Sequence, residues 1–217
     1  MVSLSSMILK IYLLRHGQTL LNKLDKNQGW INSDLTDMAI EQLNEKYNKS
    51  SNFPTFDAVY CSDLGRAAQT LEIIQPFLSL SNKADINYSK NLRERFLGSF
   101  EGDNLQENRF YLSKKEGFNS FEDFIKQHSF WDFIDTTKKF DPLHLAESYN
   151  DFSTRIDDTL EEIISTARDQ KHNNILIVSH ANPVRYIIEK LKKTNYPHPI
   201  LNSEILVISI DLTQINH

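Results

Sequence analysis

Histidine, arginine and glutamate residues recur in this sequence directly after short apolar segments. Arg15 and His16 follow the first such segment, and His180 follows a later one. Arg66 lies one turn into the helix predicted after the second segment, and Glu94 lies in a loop after the third. Together these residues supply nucleophilic imidazole groups, permanent positive charge and a carboxyl group for proton transfer. Such a set would suit chemistry on an anionic ligand.

Each of these residues also has an ordinary structural interpretation when it is taken alone. An arginine on a helix usually forms a solvated ion pair, and a single histidine after a strand is more often a hydrogen-bonded loop residue. Ligands on open parallel sheets bind beyond the carboxyl ends of the strands. Because such residues recur at several strand ends, we expect two histidines, two arginines and a glutamate to converge on one crevice.

The elements that must position these residues alternate between strands and helices. Apolar runs predict strands at residues 7–14, 56–61, 86–88, 174–178 and 204–210. Helical spacing predicts helices at residues 36–47 and 151–169, a helix capped by Ser62-Asp63 that runs to about residue 78, and a helix with Pro183 in its first turn. We expect a single α/β domain over residues 1–217, a three-layer sandwich whose mostly parallel central sheet is flanked by helices.

Residues 103–142 interrupt this alternation and predict a helical insertion with its own small core. Seven of the 13 phenylalanines lie between residues 110 and 140, together with Trp131 and Tyr111. An insertion of this kind could cap a site, or it could simply pack as an extension against the sheet. Both interpretations remain open from the sequence.

Composition narrows the classes of partner and compartment. The 24 basic and 29 acidic residues give a net charge of −5, which argues against a general electrostatic grip on nucleic acid or on an anionic membrane surface. Cys61 is the single cysteine, so an internal disulfide framework is excluded and a reducing compartment, the cytoplasm, is expected. The first apolar run is too short to span a bilayer and lacks the features of a signal peptide.

Five segments resemble, in order, the sequence motifs of the histidine phosphatase superfamily, which includes the cofactor-dependent phosphoglycerate mutases. The resemblance spans nearly the whole chain and rests on five matching segments: Leu14-Arg15-His16-Gly17-Gln18-Thr19 with Asn22, residues 60–70 around Arg66, residues 92–102 around Glu94, Ala146-Glu147-Ser148 followed by Arg155, and Val178-Ser179-His180-Ala181.

This resemblance implies phosphoryl transfer through a histidine. His16 would attack phosphorus with an unprotonated ring nitrogen and carry the phosphoryl group. Arg15 and Arg66 would neutralise and orient the nonbridging phosphate oxygens. Glu94 would protonate the leaving oxygen and then activate water.

Three further residues complete the implied phosphate site. His180 and the Asn22 side chain would donate hydrogen bonds to the phosphate, and the backbone N–H of Ala181 would approach it. Neither a metal ion nor another cofactor is expected, since no carboxylate cluster or spaced histidine pair suggests one. The expected partner is a small phosphorylated metabolite.

Among the activities of this superfamily, hydrolysis of phosphate monoesters is favoured over mutase action. The mutases resemble one another in an arginine pair followed by a proline-rich stretch, whereas residues 106–140 here contain Arg109 as their only arginine and no proline. Phe100-Glu101-Gly102 also favours a phosphatase, while Asn182 after His180-Ala181 occurs in the mutases too. A noncatalytic phospholigand-binding protein is a further alternative, but it would be expected to lack His16 or Glu94.

Overall fold

A five-stranded sheet lies at the centre of the protein, whose computed structural model describes residues 6–49 and 53–214. The strands in chain order are β1 (Ile8–Arg15), β2 (Thr55–Phe56), β3 (Ala58–Ser62), β4 (Ser79–Leu80), β5 (Ile86–Ser89), β6 (Asn174–Ser179) and β7 (Ile205–Asp211). The order in the sheet is β5-β3-β6-β1-β7, and β7 alone runs antiparallel to its neighbour. The remaining two strands, β2 and β4, form a separate small parallel pair.

Helices cover both faces of this sheet. They are α1 (Leu20–Lys23), α2 (Asp37–Asn48), α3 (Gly65–Ile74), α4 (Leu105–Lys115), α5 (Phe121–Gln127), α6 (Asp132–Phe140), α7 (Tyr149–Gln170) and α8 (Ala181–Lys192). The predicted α/β architecture with a mostly parallel sheet is confirmed. Among the described residues, no helix combines the length and the apolar character needed to cross a membrane.

The alternation of side chains along β1 explains why helices cover the sheet on both sides. Leu9, Ile11 and Leu13 pack in one core cluster with residues of α7 and α8. Leu14 faces the other way, into a second cluster that contains Leu43 of α2 and residues of α3. A strand buried on both faces reads as a nearly continuous apolar run, which is the pattern seen in the sequence.

Two predicted boundaries differ from the structure near Asp57 and Ser62. The run 56–61 is broken at Asp57, whose carboxylate accepts hydrogen bonds from the backbone N–H groups of Asn173 and Asn174. The helix expected from Ser62 begins at Gly65, and its N-cap residue Leu64 has no capping side chain. Ser62 belongs instead to β3, where its hydroxyl is needed beside His180. The α-helix ends at Ile74 because Pro76 follows, in a short 3₁₀ turn.

The segment 103–142 contains three helices, α4 to α6, and a core cluster of its own. Leu97, Phe100, Leu112, Phe124 and Phe133 form that cluster. Asp141 joins the end of the segment to the chain around it, because its carboxylate accepts hydrogen bonds from backbone N–H groups of Ser99, Leu143, Leu145 and Ala146. These bonds hold the pKa of Asp141 at about 2 even though burial alone would raise it.

Candidate active site

The carboxyl ends of β1, β3 and β6 meet at one edge of the sheet. Arg15 pairs in register with Ser179, and the backbone N–H of His16 donates to the Ser179 carbonyl oxygen at 3.0 Å. The imidazole rings of His16 and His180 are therefore close, with 5.1 Å between their centres. The sequence-predicted histidines do lie together, and both are almost completely buried.

The hydrogen bonds of His16 define its tautomer. Nδ1 lies 2.7 Å from the carbonyl oxygen of Gly17, which can only accept, so Nδ1 carries the proton. The other ring nitrogen, Nε2, accepts a hydrogen bond of 3.1 Å from Nε of Arg66. Burial, followed by the positive charges of Arg66 and Arg15, holds the pKa of His16 well below its ordinary value. His16 is thus neutral at physiological pH, with a lone pair on Nε2.

Arg66 is held by the turn that precedes α2. Its Nη2 donates to the Gly29 carbonyl oxygen at 2.7 Å and its Nη1 to that of Ile31 at 3.1 Å. Burial lowers the pKa of this guanidinium to about 10, so it remains a cation at neutral pH. Arg66 is only 1% exposed, so its positive charge is held beside His16.

Arg15, the last residue of β1, and Asn22, in the short helix α1, lie on either side of the loop after β1. The Nη1 of Arg15 donates to the Ile200 carbonyl oxygen at 2.6 Å, and its buried Nε has no partner among the described residues. The side-chain oxygen of Asn22 accepts hydrogen bonds from Thr19 and Asn202. The Asn202 amide also donates to the His16 carbonyl oxygen, and so connects Asn22 to the backbone of His16.

His180 is positioned by Ser62 at the end of β3. Its Nε2 lies 2.8 Å from the Ser62 hydroxyl oxygen, while its buried Nδ1 has no partner within the described ranges. Burial, with the charge of Arg66 as the next cause, keeps the pKa of His180 well below normal. When the Ser62 hydroxyl donates to Nε2, Nδ1 carries a proton that is free for a ligand.

Glu94 lies in the loop after β5 and faces the beginning of α8. Its Oε1 accepts from the Arg95 N–H at 2.7 Å and its Oε2 from the Asn182 N–H at 3.2 Å, in the first turn of α8. Glu94 is 7% exposed. The turn that contains Asn182 also presents the backbone of Ala181.

Two residues that received no role from the sequence hold this loop in place. Arg155 donates to the carbonyl oxygens of Asn91, Arg93 and Glu94, and it is paired with Glu147 at 2.7 Å. Glu147 and Arg155 belong to one of the five segments that match the family motifs, and that match was the signal available in the sequence.

Glu101 joins the loop that carries Glu94 to the loop that holds Arg66. Its carboxylate accepts from the backbone N–H groups of Gly29, Trp30 and Ile31, and also from that of Leu97. Gly29 can have no side chain, because a Cβ there would overlap the Glu101 carboxylate. The sequence signal for Glu101 was its place in Phe100-Glu101-Gly102, although its contacts could not be predicted from the sequence.

A cavity of about 270 Å³ opens beside these residues and is lined by four of the seven predicted site residues. They are Arg15, Asn22, Glu94 and Ala181. His16, Arg66 and His180 are not lining residues; they lie enclosed and touch one another through the contacts described above.

The insertion supplies aromatic and basic walls to this cavity. Phe121, Phe130 and Phe133 line it, as does Arg109. By contrast, Phe124 is 2% exposed and lies in the core of the insertion. Trp131 lies against Phe152 and donates to Glu189, away from the cavity. The segment is therefore both a small packed unit and a wall of the site.

Cys61 takes no part in this arrangement. Its thiol is fully buried in the second core cluster, and burial raises its pKa. No group of three or more histidine, cysteine, aspartate or glutamate residues placed to hold a metal ion occurs within residues 6–49 and 53–214.

Comparison with protein families and curated proteins gives consistent matches. A model of the histidine phosphatase superfamily (branch 1) matches residues 11–211. A broad-specificity phosphatase of Saccharomyces cerevisiae is 28% identical over 206 residues, which cover 93% of this chain and 79% of that protein. A metal-independent phosphoserine phosphatase of Arabidopsis thaliana is 26% identical over 212 residues, covering 96% and 79%. A 2,3-bisphosphoglycerate-dependent phosphoglycerate mutase of Buchnera aphidicola is 31% identical over 201 residues, covering 84% and 83%.

Solved structures share the same fold. The crystal structure of phosphoglycerate mutase from Bacillus anthracis matches with a TM-score of 0.84 at 28% identity, covering 95% of this chain and 90% of that one. An alpha-ribazole phosphatase from Shigella flexneri matches with a TM-score of 0.66 at 21% identity, covering 94% and 90%. The same fold therefore occurs in proteins named as mutases and in proteins named as phosphatases.

Proposed function

The chain belongs to the histidine phosphatase superfamily, and from that membership we propose that it hydrolyses phosphate monoesters of small metabolites through a phosphohistidine on His16. The observation that carries this proposal is the hydrogen-bonded state of His16. A proton on Nδ1, fixed by the Gly17 carbonyl oxygen, leaves Nε2 as an unprotonated nucleophile. Relatives named as phosphatases from yeast and Arabidopsis support the assignment.

The first step transfers the phosphoryl group to the enzyme. When a phosphate binds, Arg66 turns its Nε–H from His16 to a phosphate oxygen, which frees the Nε2 lone pair. Nε2 then attacks phosphorus, the bond to the ester oxygen breaks, and the Glu94 carboxylic acid gives its proton to that oxygen. The leaving group departs as an alcohol.

The second step returns the enzyme to its starting state. The Glu94 carboxylate takes a proton from water while the water oxygen attacks phosphorus. The phosphorus–nitrogen bond breaks, inorganic phosphate leaves, and Glu94 is again protonated. The same group thus serves first as acid and then as base.

Fixed positive charge stabilises both transition states. Arg15 and Arg66 are held by backbone carbonyl oxygens before the ligand arrives, so their positive charge is already in place and the Nε–H of Arg66 has only to change its acceptor. The Asn22 amide, the Ala181 N–H and Nδ1–H of His180 supply further donors to the phosphate oxygens. No step of this scheme uses a metal ion or another cofactor.

A second candidate function, mutase action, has support from the relatives named phosphoglycerate mutase, one of which is 31% identical. In that reaction the phosphohistidine would return its phosphoryl group to another hydroxyl of the bound acid. The insertion favours hydrolysis, since Arg109 is the only arginine of residues 106–140.

The decisive experiment follows phosphate on the enzyme. Purified protein in EDTA should release phosphate from p-nitrophenyl phosphate, and ³²P-labelled substrate should leave acid-labile label on His16. His16→Ala should lose both the label and activity by at least about 10³-fold, with its circular dichroism unchanged. Label on another residue contradicts the scheme. Ligand binding without any turnover would favour the noncatalytic alternative.

A parallel assay separates the two enzymatic functions. With 3-phosphoglycerate and a trace of 2,3-bisphosphoglycerate, a mutase forms 2-phosphoglycerate faster than it releases phosphate, and a phosphatase does the reverse.

We further propose that the enzyme works in the cytoplasm, because Cys61 is a buried free thiol. Fluorescent fusion in the source cell tests that location.

A further inference from the structure

The cavity holds more positive charge than its carboxylate balances. Five basic side chains line it, namely Arg15, Lys26, Arg95, Arg109 and Arg185. Glu94 is the single acidic side chain among its lining residues. The chain as a whole has a net charge of −5, so the excess is local to this cavity. Arg15 serves the phosphate, which leaves the other four basic groups to be explained.

Arg109 on α4 is the clearest case of a cation that makes no direct polar contact. Its guanidinium carbon lies 4.6 Å from the centre of the Phe121 ring. No hydrogen-bond acceptor or ion-pair partner contacts its side chain in the part of the chain that the structure describes. Burial lowers the pKa of Arg109; the more distant charges of Asp25 and Glu122 oppose this effect, and the positive charge of Arg185 adds to it. A partly buried cation without a directly bound counter-charge is costly, and a bound anion would reduce that cost.

Arg185 on α8 is placed in a similar way. Its guanidinium carbon lies 4.5 Å from the centre of the Phe130 ring, and its Nη2 donates to the His198 carbonyl oxygen at 3.1 Å. Both aromatic rings belong to the insertion and line the cavity. Each ring supports one guanidinium group, and the guanidinium nitrogens that make no hydrogen bond stay available for an anion.

From this arrangement we infer that Arg109 and Arg185 form a second anion subsite, which receives a carboxylate or phosphate carried by the leaving group of the substrate. This inference rests on the proposed phosphatase function and specifies its substrate class. A volume of about 270 Å³ lies at the small end of ligand cavities, so the leaving group has few carbon atoms. The preferred substrates are short phosphate esters with a second negative charge.

Binding of inert phosphonates tests the subsite without relying on turnover. Propylphosphonate has one anionic end, whereas 3-phosphonopropanoate and propane-1,3-diphosphonate have two, and calorimetry gives the dissociation constant of each. Charge-assisted arginine contacts predict that at least one doubly ended ligand binds about tenfold to a hundredfold more tightly than propylphosphonate. Whichever of the two shows this preference identifies the second anion as carboxylate or phosphate.

Variants locate the preference on the two arginines. Arg109→Gln and Arg185→Gln should each reduce the affinity ratio of doubly to singly ended ligand by at least about fivefold. The matched control is Arg168→Gln, since Arg168 lies on α7 and does not line this cavity; it should keep the wild-type ratio. Melting temperatures identify a variant that has lost its fold. An equal affinity of the wild type for all three ligands, or an unchanged ratio in both cavity variants, overturns the subsite.

The corresponding esters distinguish failure of the subsite from failure of the function. Propyl phosphate and 3-phosphonooxypropanoate are compared by kcat/KM. If the phosphonates bind as expected and neither ester is hydrolysed, the subsite stands and the phosphatase assignment falls. If both esters are hydrolysed with equal kcat/KM and the phosphonates bind equally, the phosphatase stands and the subsite falls.

Discussion

The hydrogen bond from Arg66 to His16 separates the structure described above from the state that the proposed reaction requires. It occupies the Nε2 lone pair, at 3.1 Å. In the proposed reaction, a phosphate that draws this donor away would expose Nε2 as the nucleophile. At the scale of single residues, the proposal therefore joins substrate binding and activation of His16 in one event.

A prediction at this scale concerns the acid role of Glu94. In Glu94→Gln, kcat/KM should fall by about 10²- to 10³-fold for an alkyl phosphate, whose leaving oxygen needs a proton. The loss should stay under about tenfold for p-nitrophenyl phosphate, whose leaving group scarcely needs one. Equal losses on the two substrates would show that the carboxyl group only positions or binds.

The pH dependence of stability is a second residue-scale prediction. Burial lowers the pKa values of His16 and His180. Below pH 6.5 the unfolded chain therefore binds protons at these two histidines that the folded chain does not bind. Stability therefore falls as the pH falls through this range, by about 2 kcal/mol between pH 6.5 and 5.5 for the two residues together. Urea unfolding at several pH values measures the slope.

A variant at one of the two histidines tests the cause of this slope. His16→Gln should reduce the slope by about half, because it removes one of the two buried groups. Asp141 and Asp151, with pKa values of about 2, add a separate loss that begins only near pH 4. A flat response from pH 7 to 5.5 would contradict neutral buried histidines.

The sequence allowed the strand-end residues to be predicted but not the cavity beside them. His16 and His180 follow apolar runs, and parallel strands bring such positions together whatever their loops do. Arg109 and Arg185 lie on helices, and the direction in which a helix turns one side chain depends on packing that no local pattern records. The start of α3 was also missed, because the Ser62 hydroxyl contacts His180 across the sheet instead of capping its own helix.

At the scale of elements, the insertion combines a core with a wall of the site. Phe121 and Phe130 line the cavity, and Phe124 packs within the insertion. The three are close in sequence but differ in what they touch. This difference makes matched substitutions possible.

Substitutions by leucine should separate these two roles. Phe121→Leu and Phe130→Leu should change the ratio of kcat/KM between an aryl and an alkyl phosphate by about threefold or more, because aromatic contacts contribute about 0.5 to 1.5 kcal/mol. They should alter inhibition by inorganic phosphate less. Phe124→Leu should lower the melting temperature and keep the ratio. If all three variants lose stability and keep the wild-type ratio of kcat/KM, the insertion does not determine leaving-group preference.

At the scale of the whole molecule, the proposed phosphate site joins distant parts of the chain. Its residues come from β1, α3, the loop after β5 and the start of α8, and Arg15 is anchored by Ile200. A ligand held by all of them should stabilise the folded protein as one unit. The single-domain organisation, so far a prediction, can be tested in this way.

Calorimetry with inorganic phosphate provides the measurement. We expect one unfolding transition, and phosphate should move it to higher temperature. At a hundred times its dissociation constant, phosphate should raise the free energy of unfolding by about 2.7 kcal/mol. Two transitions, of which phosphate moves only one, would indicate that the insertion unfolds separately. Sodium chloride at equal ionic strength controls for general salt effects.

The position of β1 between β6 and β7 also has a consequence for the newborn chain. The ribosome makes Arg15 and His16 well before Ile200, whose carbonyl oxygen anchors Arg15 from 185 positions later in the chain. Until β6 and β7 have emerged, the apolar β1 has two open edges that could pair with other chains. Translation thus imposes a delay during which β1 depends most on chaperones, and a chain that stops before β6 would contain His16 without the strand beside which it is buried.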